Sequence, residues 1–460
     1  MVKTTAIISL SALLVSGVLS ENLNIAAGYA AKNLCSWIFV TGINEKKALN
    51  SYIYPVFKPF KWLMKSKVNY REKSVIISTR YNIKRKAIFR KNLGCTLLNK
   101  KSEAIVRSQK ISPIPSPLID PQKVWPQGSK VIPSKNIAPH SLKKIRTLLN
   151  QCIKNKKRNV LAMVVVYDNT ILAEAYGTGI SKKTKLLSWS MAKSVTNNAI
   201  GILVKQKKLT LSTKVSDLIQ SPYHDDKRKI TINHLLRMSS GLHFKEIYFG
   251  SNHVTRMLYL KDDMALYALS QKMKRRPGKI FKYSSGDSNI LTKTIFLKNN
   301  SSVNDAYRFI QKELFHKINI TSAIFEIDSS GSFIGSSYVY MTARDYARLG
   351  LFWLKKGKWK DKIILPEWWM DYSLKPTLSS HKRTYGAHFW LNSPGKPRYR
   401  KWKKLPTDMF LARGYQGQYI IVIPSYDLVV VRLGVTFTPG PVKREINHVI
   451  SEIIKVLPKG

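Results

Sequence analysis

The chain has 460 residues, of which 78 are Lys or Arg and 26 are Asp or Glu, giving a formal net charge of +52. Hydrophobic residues make up 44% of the sequence, which excludes an intrinsically disordered chain. With 23 glycines, 20 prolines and 3 cysteines, collagen-like and disulfide-dense classes are excluded too, and the length predicts two or three domains or one large domain with an extension.

The excess of positive charge allows two interpretations. Lys and Arg occur in nearly every segment, and no zinc-finger, RNA-recognition or leucine-zipper pattern accompanies them. A basic surface of this kind affects solubility and association rather than the fold. The alternative is a functional face for a polyanion such as an anionic cell-envelope surface, whereas specific binding of a nucleic acid is not predicted.

The first twenty residues have the composition of a targeting segment. Lys3 gives a positive start, the residues from Thr4 to Ser20 carry no charge, and Glu21 ends the run. The run fits the apolar region of a signal peptide and is short for a spanning helix, which needs about 20 residues. We therefore predict an exported protein, periplasmic or associated with the cell envelope, in which residues 1–20 are a signal peptide or a membrane anchor. A buried N-terminal helix is the alternative.

Residues 21–110 are predicted to form a small basic region ahead of the main domain. Within it, the segment from Ser74 to Leu98 is rich in Val, Ile, Thr, Tyr and Phe, which predicts two strands and a turn. Cys35 and Cys95 both lie in this region, and in an exported protein they can pair as a disulfide. The alternative is that all three cysteines of the chain are buried, inert thiols.

A proline-rich linker over residues 111–138 precedes the main domain, because proline removes backbone donors and fixes φ. Residues 139–460 follow as one domain with strands at both ends and helices between them. The predicted elements are helices at 141–154, 190–205 and 442–457 and strands at 161–168, 170–176, 418–424 and 428–433. This order predicts an α+β fold, in which an antiparallel sheet of N- and C-terminal strands is flanked by helices and carries a helical subdomain.

The strongest chemical signal is Ser190-Met191-Ala192-Lys193 at the start of a predicted helix. Residues three apart share one helix face, so the Lys193 amine reaches the Ser190 hydroxyl. The helix start places the Ser190 N–H where it can stabilise an oxyanion, and burial lowers the pKa of a lysine so that it accepts a proton. Alone, this spacing is a weak signal, since Ser190 can equally serve as an N-cap.

Two later segments supply partners for this pair. Tyr283-Ser284-Ser285 contains a tyrosine that, beside a lysine cation, is expected to ionise below its usual pKa of about 10 and to act as a general base. Gly414-Tyr415-Gln416-Gly417-Gln418 opens the penultimate predicted strand, where glycines allow a ligand to approach closely. We expect the Gln418 N–H to donate the second oxyanion hydrogen bond, opposite the Ser190 N–H.

The order of these segments resembles the penicillin-recognising serine hydrolases, which include serine β-lactamases, D-alanyl-D-alanine carboxypeptidases and related esterases. Residues 230–242, 340–350 and 385–390 resemble the family's connecting helix, its Thr-Ala-Arg-Asp helix and its late strand. The Ser-Met-Ala-Lys-Ser segment is similar to that of the class C β-lactamase-like group with 6-aminohexanoate-dimer hydrolase. The resemblance spans about residues 140–460 and implies the β-lactamase/DD-peptidase-like fold.

Two departures from the family pattern bear on the substrate. Ser285 stands where class C β-lactamases have the Asn of Tyr-x-Asn, and Tyr415-Gln416-Gly417 replaces Lys-Thr-Gly. These four residues are the predicted substrate-binding set, and they lack the cation that would hold a substrate carboxylate. Arg413 is the nearby candidate for that cation. No glutamate like that of class A enzymes stands out to activate a deacylating water, so Lys193 and Tyr283 are expected to serve both steps.

The sequence thus predicts an exported serine hydrolase that cleaves amide or ester bonds of a small-molecule or peptide substrate through an acyl-enzyme on Ser190. One alternative is a β-lactamase or D-Ala-D-Ala carboxypeptidase acting on β-lactam or cell-wall peptide. Another is a non-catalytic, polyanion-binding protein on an inactive hydrolase fold. No cofactor or metal is predicted, because no metal-ligand spacing or phosphate-binding loop occurs. His234 is expected to be structural, and His388 either lines the cleft or is buried in a strand.

Overall fold

The computed structural model describes residues 2–220, 225–393 and 395–458. The helices of this part of the chain are α1 (Val2–Phe39), α2 (Glu45–Ala48), α3 (Glu103–Ser108), α4 (Pro139–Lys154), α5 (Ala192–Lys205), α6 (Ile232–Leu236), α7 (His253–Leu260), α8 (Met264–Ser270), α9 (Ser285–Leu297), α10 (Val303–Phe309), α11 (Ala343–Leu354), α12 (Trp369–Leu374) and α13 (Pro439–Ile454). Its strands are β1 (Met64–Asn69), β2 (Ser74–Thr79), β3 (Lys84–Arg90), β4 (Gly94–Leu97), β5 (Val160–Tyr167), β6 (Thr170–Tyr176), β7 (Leu186–Leu187), β8 (Ile324–Phe325), β9 (Val339–Met341), β10 (Lys358–Trp359), β11 (Lys362–Ile363), β12 (Trp390–Leu391), β13 (Phe410–Gly414), β14 (Gln418–Ile423) and β15 (Leu428–Gly434).

A six-stranded antiparallel sheet, in the order β12-β13-β14-β15-β5-β6, forms the centre of the C-terminal part of the chain. β15 pairs with β5, with Val430 opposite Val165, so the C-terminal hairpin continues the N-terminal one. α11 packs closely on one face at Gly350, where a Cβ would come within 2.5 Å of a Val429 methyl carbon. The buried residues of α4 and α13 share an apolar cluster with the other face. The predicted α+β arrangement with neighbouring N- and C-terminal strands is confirmed.

The residues up to 110 are built around α1. This helix packs against β2, β3 and β4 of a four-stranded antiparallel sheet in the order β1-β2-β3-β4. Cys35 on α1 and Cys95 on β4 form a disulfide, the first of the two predicted alternatives, while Cys152 is free and buried. The segment predicted as two strands and a turn contains three strands instead, because Gly94 adopts a positive φ of 67° and starts β4 after a second turn.

A buried ion pair joins α1 to the C-terminal part of the chain. Lys32 bonds Glu326, which directly follows β8, and Ser36 Oγ and the Cys95 N–H donate to the same carboxylate at 2.9 and 2.7 Å. Removing any partner of a buried charge is costly, so these contacts tie the two parts together. The predicted boundaries of regions 21–110, 111–138 and 139–460 stay predictions.

α1 continues from the predicted targeting segment into the protein interior. Leu23 is 1% exposed and Leu34 is fully buried. Met1 and the side chains before Gly17 lie outside the described part of the chain, so the predicted signal peptide or anchor stays a prediction. Among the helices that the structure describes, none is both long enough and apolar enough to span a membrane.

Residues 109–138 contain no helix or strand, in line with the proline content of the predicted linker. Residues of this segment nevertheless contact α11, the helix that packs on the central six-stranded sheet. Arg348 of α11 donates hydrogen bonds to the carbonyl oxygens of Pro126 at 2.9 Å and Gly128 at 2.7 Å, and Trp125 is 3% exposed. The linker therefore lies against the helix that covers the central sheet.

Candidate active site

Ser190 lies in a short 3-10 turn, Trp189–Met191, that leads directly into α5. Trp189 has a positive φ of 44°, which a bulky residue adopts only when its surroundings hold it there. Its indole N–H donates to Gln416 Oε1 at 3.0 Å, and the Ser188 N–H donates to the Val339 carbonyl at 2.8 Å. The turn is thus fixed on both sides, and Ser190 itself stays partly exposed.

Lys193 lies one helical turn after Ser190 and is 1% exposed. Its Nζ is 3.1 Å from Ser190 Oγ, 3.1 Å from Ser285 Oγ and 3.0 Å from the Ser336 carbonyl oxygen. Burial lowers the pKa of Lys193 to about 8, although the carboxylates of Glu246 and Asp287 oppose the shift. The spacing predicted from the sequence therefore places an amine of low basicity against the serine hydroxyl.

Tyr283 is a second titratable group beside Ser190 and Lys193. The Lys193 Nζ lies 4.8 Å from the centroid of the Tyr283 ring. Burial raises the pKa of Tyr283 well above its ordinary value, Glu246 raises it further, and the Ser190 hydroxyl and Arg413 oppose this rise. The expectation that Tyr283 ionises below its usual pKa is wrong, because the desolvation of the buried phenol outweighs the opposing effects of the Ser190 hydroxyl and Arg413. Tyr283 is therefore a neutral phenol that can donate a proton.

Ser285 is the first residue of α9 and is fully buried. Its hydroxyl lies between the Lys193 amine and Glu246 Oε1, to which it donates at 2.5 Å. This position makes Ser285 a link between a cation and a carboxylate. Ser285 was predicted to bind the substrate, whereas in the structure its hydroxyl is bonded to side chains of the site itself.

Glu246 and Tyr248 belong to the site and were not found from the sequence. Glu246 Oε2 accepts from the Ser285 N–H at 2.8 Å, and its Oε1 accepts from the Tyr248 hydroxyl at 2.9 Å. Both residues lie in the loop between α6 and α7, with no spacing pattern relative to Ser190. The only available signal was an acidic residue in a segment with several aromatic residues.

The segment Gly414-Tyr415-Gln416-Gly417-Gln418, the third motif, approaches the serine turn, which is the 3-10 turn Trp189–Met191, through its first glycine. A Cβ on Gly414 would lie 2.2 Å from the Ser188 carbonyl oxygen, so only glycine lets the end of β13 come this close. The three residues after it form a 3-10 turn rather than extended strand, and β14 begins at Gln418. Gln416 in this turn has a positive φ of 59°. The start of β14 thus lies beside the serine turn, and the proposed oxyanion role of the Gln418 N–H stays a prediction.

The predicted substrate-binding residues of this motif have different surroundings. Tyr415 stacks on Tyr248 with ring centroids 5.5 Å apart and borders a cavity. The Gln416 side chain is 6% exposed and is engaged by Trp189. The Gly417 carbonyl accepts from Arg432 at 2.7 Å. Tyr415 is therefore placed to meet a ligand, whereas Gln416 and Gly417 have contacts that hold the turn.

The remaining candidates fall outside the reacting cluster. The Arg413 guanidinium lies 5.9 Å from the centroid of the Tyr419 ring, and it forms no ion pair with a described residue. His388 is buried, donates from Nδ1 to the Lys193 carbonyl at 2.7 Å, and has a pKa lowered to about 3 by burial. It is neutral and supports α5. His234 is structural too, because its side chain accepts from the Thr231 N–H in the capping box of α6. Among the described residues no group of His, Cys, Asp or Glu could hold a metal ion.

A scan against protein families matches residues 145–454 to the Beta-lactamase family. The match covers more than half of the chain and contains Ser190, Lys193 and Tyr283. The chain therefore belongs to the Beta-lactamase family, whose fold is that of serine hydrolases, and the predicted family resemblance is confirmed.

Solved structures agree with this assignment. "Putative 6-aminohexanoate-dimer hydrolase from Bacillus anthracis" matches at 20% identity and a TM-score of 0.55, covering 67% of this chain and 80% of its own. "EstCE1, a hydrolase with promiscuous acyltransferase activity" matches at 16% identity and a TM-score of 0.55, covering 68% of this chain and 98% of its own. The octameric penicillin-binding protein homologue from Pyrococcus abyssi matches at 14% identity and a TM-score of 0.50, covering 69% of this chain and 79% of its own. Identities this low show the fold alone, and a search of curated proteins finds no match.

Proposed function

We propose that the protein is an exported serine hydrolase that cleaves ester or amide bonds through an acyl-enzyme on Ser190. The observation that carries this proposal is the 3.1 Å contact between Lys193 Nζ and Ser190 Oγ, with burial lowering the pKa of that lysine to about 8. Such a lysine is partly neutral near pH 7 and can accept a proton from the serine. Among the structural neighbours, the one named for hydrolase and acyltransferase activity supports chemistry of this type.

The proposed reaction begins when neutral Lys193 takes the proton of the Ser190 hydroxyl and the serine oxygen attacks the carbonyl carbon. The N–H groups of Ser190 and Gln418 receive the oxyanion. Tyr283, a neutral phenol, donates its proton to the leaving group and regains one from the Lys193 ammonium. Water then attacks the acyl carbon, and its proton passes through the same pair while Ser190 is released as a hydroxyl.

Glu246 has a supporting role in this scheme. Its carboxylate holds Ser285 and Tyr248 by three hydrogen bonds at 2.5 to 2.9 Å. Its negative charge also favours the ammonium form of Lys193 that arises during attack on the substrate. The site thus contains the carboxylate that the sequence did not reveal, placed beside the proton-transfer pair.

Export is supported by two features. The run from Thr4 to Ser20 is uncharged, and the Cys35–Cys95 disulfide is typical of proteins that fold in an oxidising compartment. Cleavage after Ser20 would leave the buried part of α1, from Leu23 onward, in place. Mass determination of the protein from a periplasmic fraction tests this, since an intact N-terminus in a cytoplasmic fraction contradicts it.

Labelling with a fluorophosphonate tests the catalytic proposal. Wild-type protein is expected to form one adduct, mapped to Ser190 by mass spectrometry. Ser190→Ala abolishes the adduct and Lys193→Met slows its formation, while the matched surface variant Ser181→Ala labels like wild type. An adduct on another residue, or undiminished labelling of Ser190→Ala, contradicts the proposal.

Arg413 favours a second candidate, a β-lactamase or D-Ala-D-Ala carboxypeptidase. It is a half-buried cation next to the third motif, and its charge acts on Tyr283. In that case a substrate carboxylate would bind the guanidinium. A free acid would then be cleaved faster than its methyl ester even at high salt, which screens the diffuse +52 charge, and Arg413→Gln would remove the preference. Labelling by a fluorescent penicillin separates the two candidates further.

A further inference from the structure

An apolar cavity of about 120 Å³ lies next to the serine turn. One wall is formed by α1, through Ile25, Ala26 and Tyr29, and by the following segment, through Val56 and Phe57. These residues precede the part of the chain that matches the Beta-lactamase family. The family fold alone therefore does not build this wall, and the N-terminal region completes the cavity.

Another part of the lining belongs to the candidate active site. It contains Trp189, which directly precedes Ser190, and the stacked pair of Tyr248 and Tyr415. The Tyr248 hydroxyl lies 3.4 Å from Ser285 Oγ, which in turn contacts Lys193. One tyrosine thus faces the polar cluster with its hydroxyl and the cavity with its ring. Trp189, the residue before Ser190 in the chain, thus connects the cavity to the serine turn.

The chemistry of the cavity is unlike that of the rest of the surface. None of the described residues that line it carries a charge, in a chain whose net charge is +52. Phe249 at its edge is 84% exposed, and the nearby Ile247 is 52% exposed. Leaving large apolar side chains in water at the edge of an apolar cavity is typical of a surface that binds an apolar ligand.

We propose that this cavity binds the acyl group of the substrate, a straight chain of about four to six carbons or a single aromatic ring. An engineered apolar cavity of about 150 Å³ holds a benzene molecule, which sets this size. The inference rests on the proposed function. Ser190 Oγ bonds to the acyl carbon while the alcohol or amine leaves with a proton, and water then releases the carboxylic acid and restores the serine hydroxyl.

An ester series with acetyl, butanoyl and hexanoyl groups and one common leaving group tests the proposal. In the wild type, kcat/KM is expected to rise about fourfold for each added methylene up to hexanoyl. Ala26→Leu places a side chain in the cavity and brings the hexanoyl-to-acetyl ratio close to one. Phe249→Ser changes only an exposed residue, so its folding is not at risk, and lowers the ratio about threefold. Leu118→Ser changes an apolar residue that is 96% exposed and does not line the cavity, and it keeps the wild-type ratio.

The outcomes separate this inference from the function on which it rests. Turnover that depends on Ser190 but shows no chain-length preference, or a preference that survives in both Ala26→Leu and Phe249→Ser, overturns the inference and leaves the hydrolase proposal intact. If none of these esters is turned over and no fluorophosphonate adduct forms on Ser190, the hydrolase proposal fails. Calorimetric titration of Ser190→Ala protein with the acetyl and hexanoyl esters then decides the inference: tighter binding of the hexanoyl ester that Ala26→Leu abolishes supports it, and equal affinities overturn it.

Discussion

The pKa of Lys193 makes the pH dependence of the reaction a quantitative test. With a pKa of about 8, about one eleventh of the lysine is neutral at pH 7 and about ten elevenths at pH 9. Only the neutral amine accepts the proton of Ser190, so kcat/KM for a neutral ester is expected to rise about tenfold between these pH values and then to level off. Initial rates at constant ionic strength measure this, because salt changes the effect of the surface charge.

The carboxylate of Glu246 supplies a matched perturbation. It raises the pKa of Lys193, so Glu246→Gln is expected to move the rise in kcat/KM to lower pH. Glu367→Gln, a distant and exposed carboxylate paired with Lys358, is the control and leaves the profile unchanged. A rise that continues beyond pH 10 in the wild type would refute the reasoning, because it would identify an unperturbed lysine or the Tyr283 phenolate as the base.

Three further changes have expected outcomes. Tyr283→Phe removes the proton donor for the leaving group and lowers kcat/KM by about 10²–10⁴, and steady-state kinetics at a near wild-type rate would assign that role elsewhere. Gly414→Ala forces a Cβ within 2.2 Å of the Ser188 carbonyl oxygen and lowers kcat about 100-fold, whereas Gly440→Ala, with nothing within 4 Å, has no such effect in the same assay. Replacing Cys35 and Cys95 by serine opens a link between residues 60 apart and lowers the free energy of unfolding by about 4 kcal/mol, measured by urea denaturation; an unchanged midpoint contradicts this.

The sequence predicts those features of the fold that depend on local periodicity. The hairpin at residues 160–176 and the paired strands at 418–434 have the β-branched content of buried strands, and the structure confirms both. The packing of the N-terminal region is different, because it depends on contacts such as that between Lys32 and Glu326. No sequence pattern links residues almost 300 positions apart, so the shared apolar interior of the two parts of the chain could not be predicted.

In the candidate site, too, the sequence predicts what depends on local spacing and does not predict what depends on burial or long-range contacts. Helical spacing together with the two later motifs predicts the pair Ser190 and Lys193, whose Oγ and Nζ atoms lie 3.1 Å apart in the structure. The ionisation state of Tyr283 could not be predicted in this way, because burial raises the pKa of its phenol by more than the Ser190 hydroxyl and Arg413 lower it. Glu246 comes from a loop without regular spacing, so only the folded chain shows that its carboxylate reaches Ser285.

One hydrogen bond, from Trp189 to Gln416, links the serine turn to the third motif. Through Trp189 it also links the cavity to the turn that carries the proposed nucleophile. Trp189 and Gln416 both have left-handed backbone conformations, with φ of 44° and 59°, and their side chains bond at 3.0 Å. Such conformations persist only where surrounding contacts hold them. The Trp189 ring is also a wall of the cavity, so an acyl chain bound there packs on the residue that sets the position of the Ser190 N–H. Binding energy from a part of the substrate that does not react can thereby stabilise the geometry in which the oxyanion forms, which raises kcat rather than affinity alone.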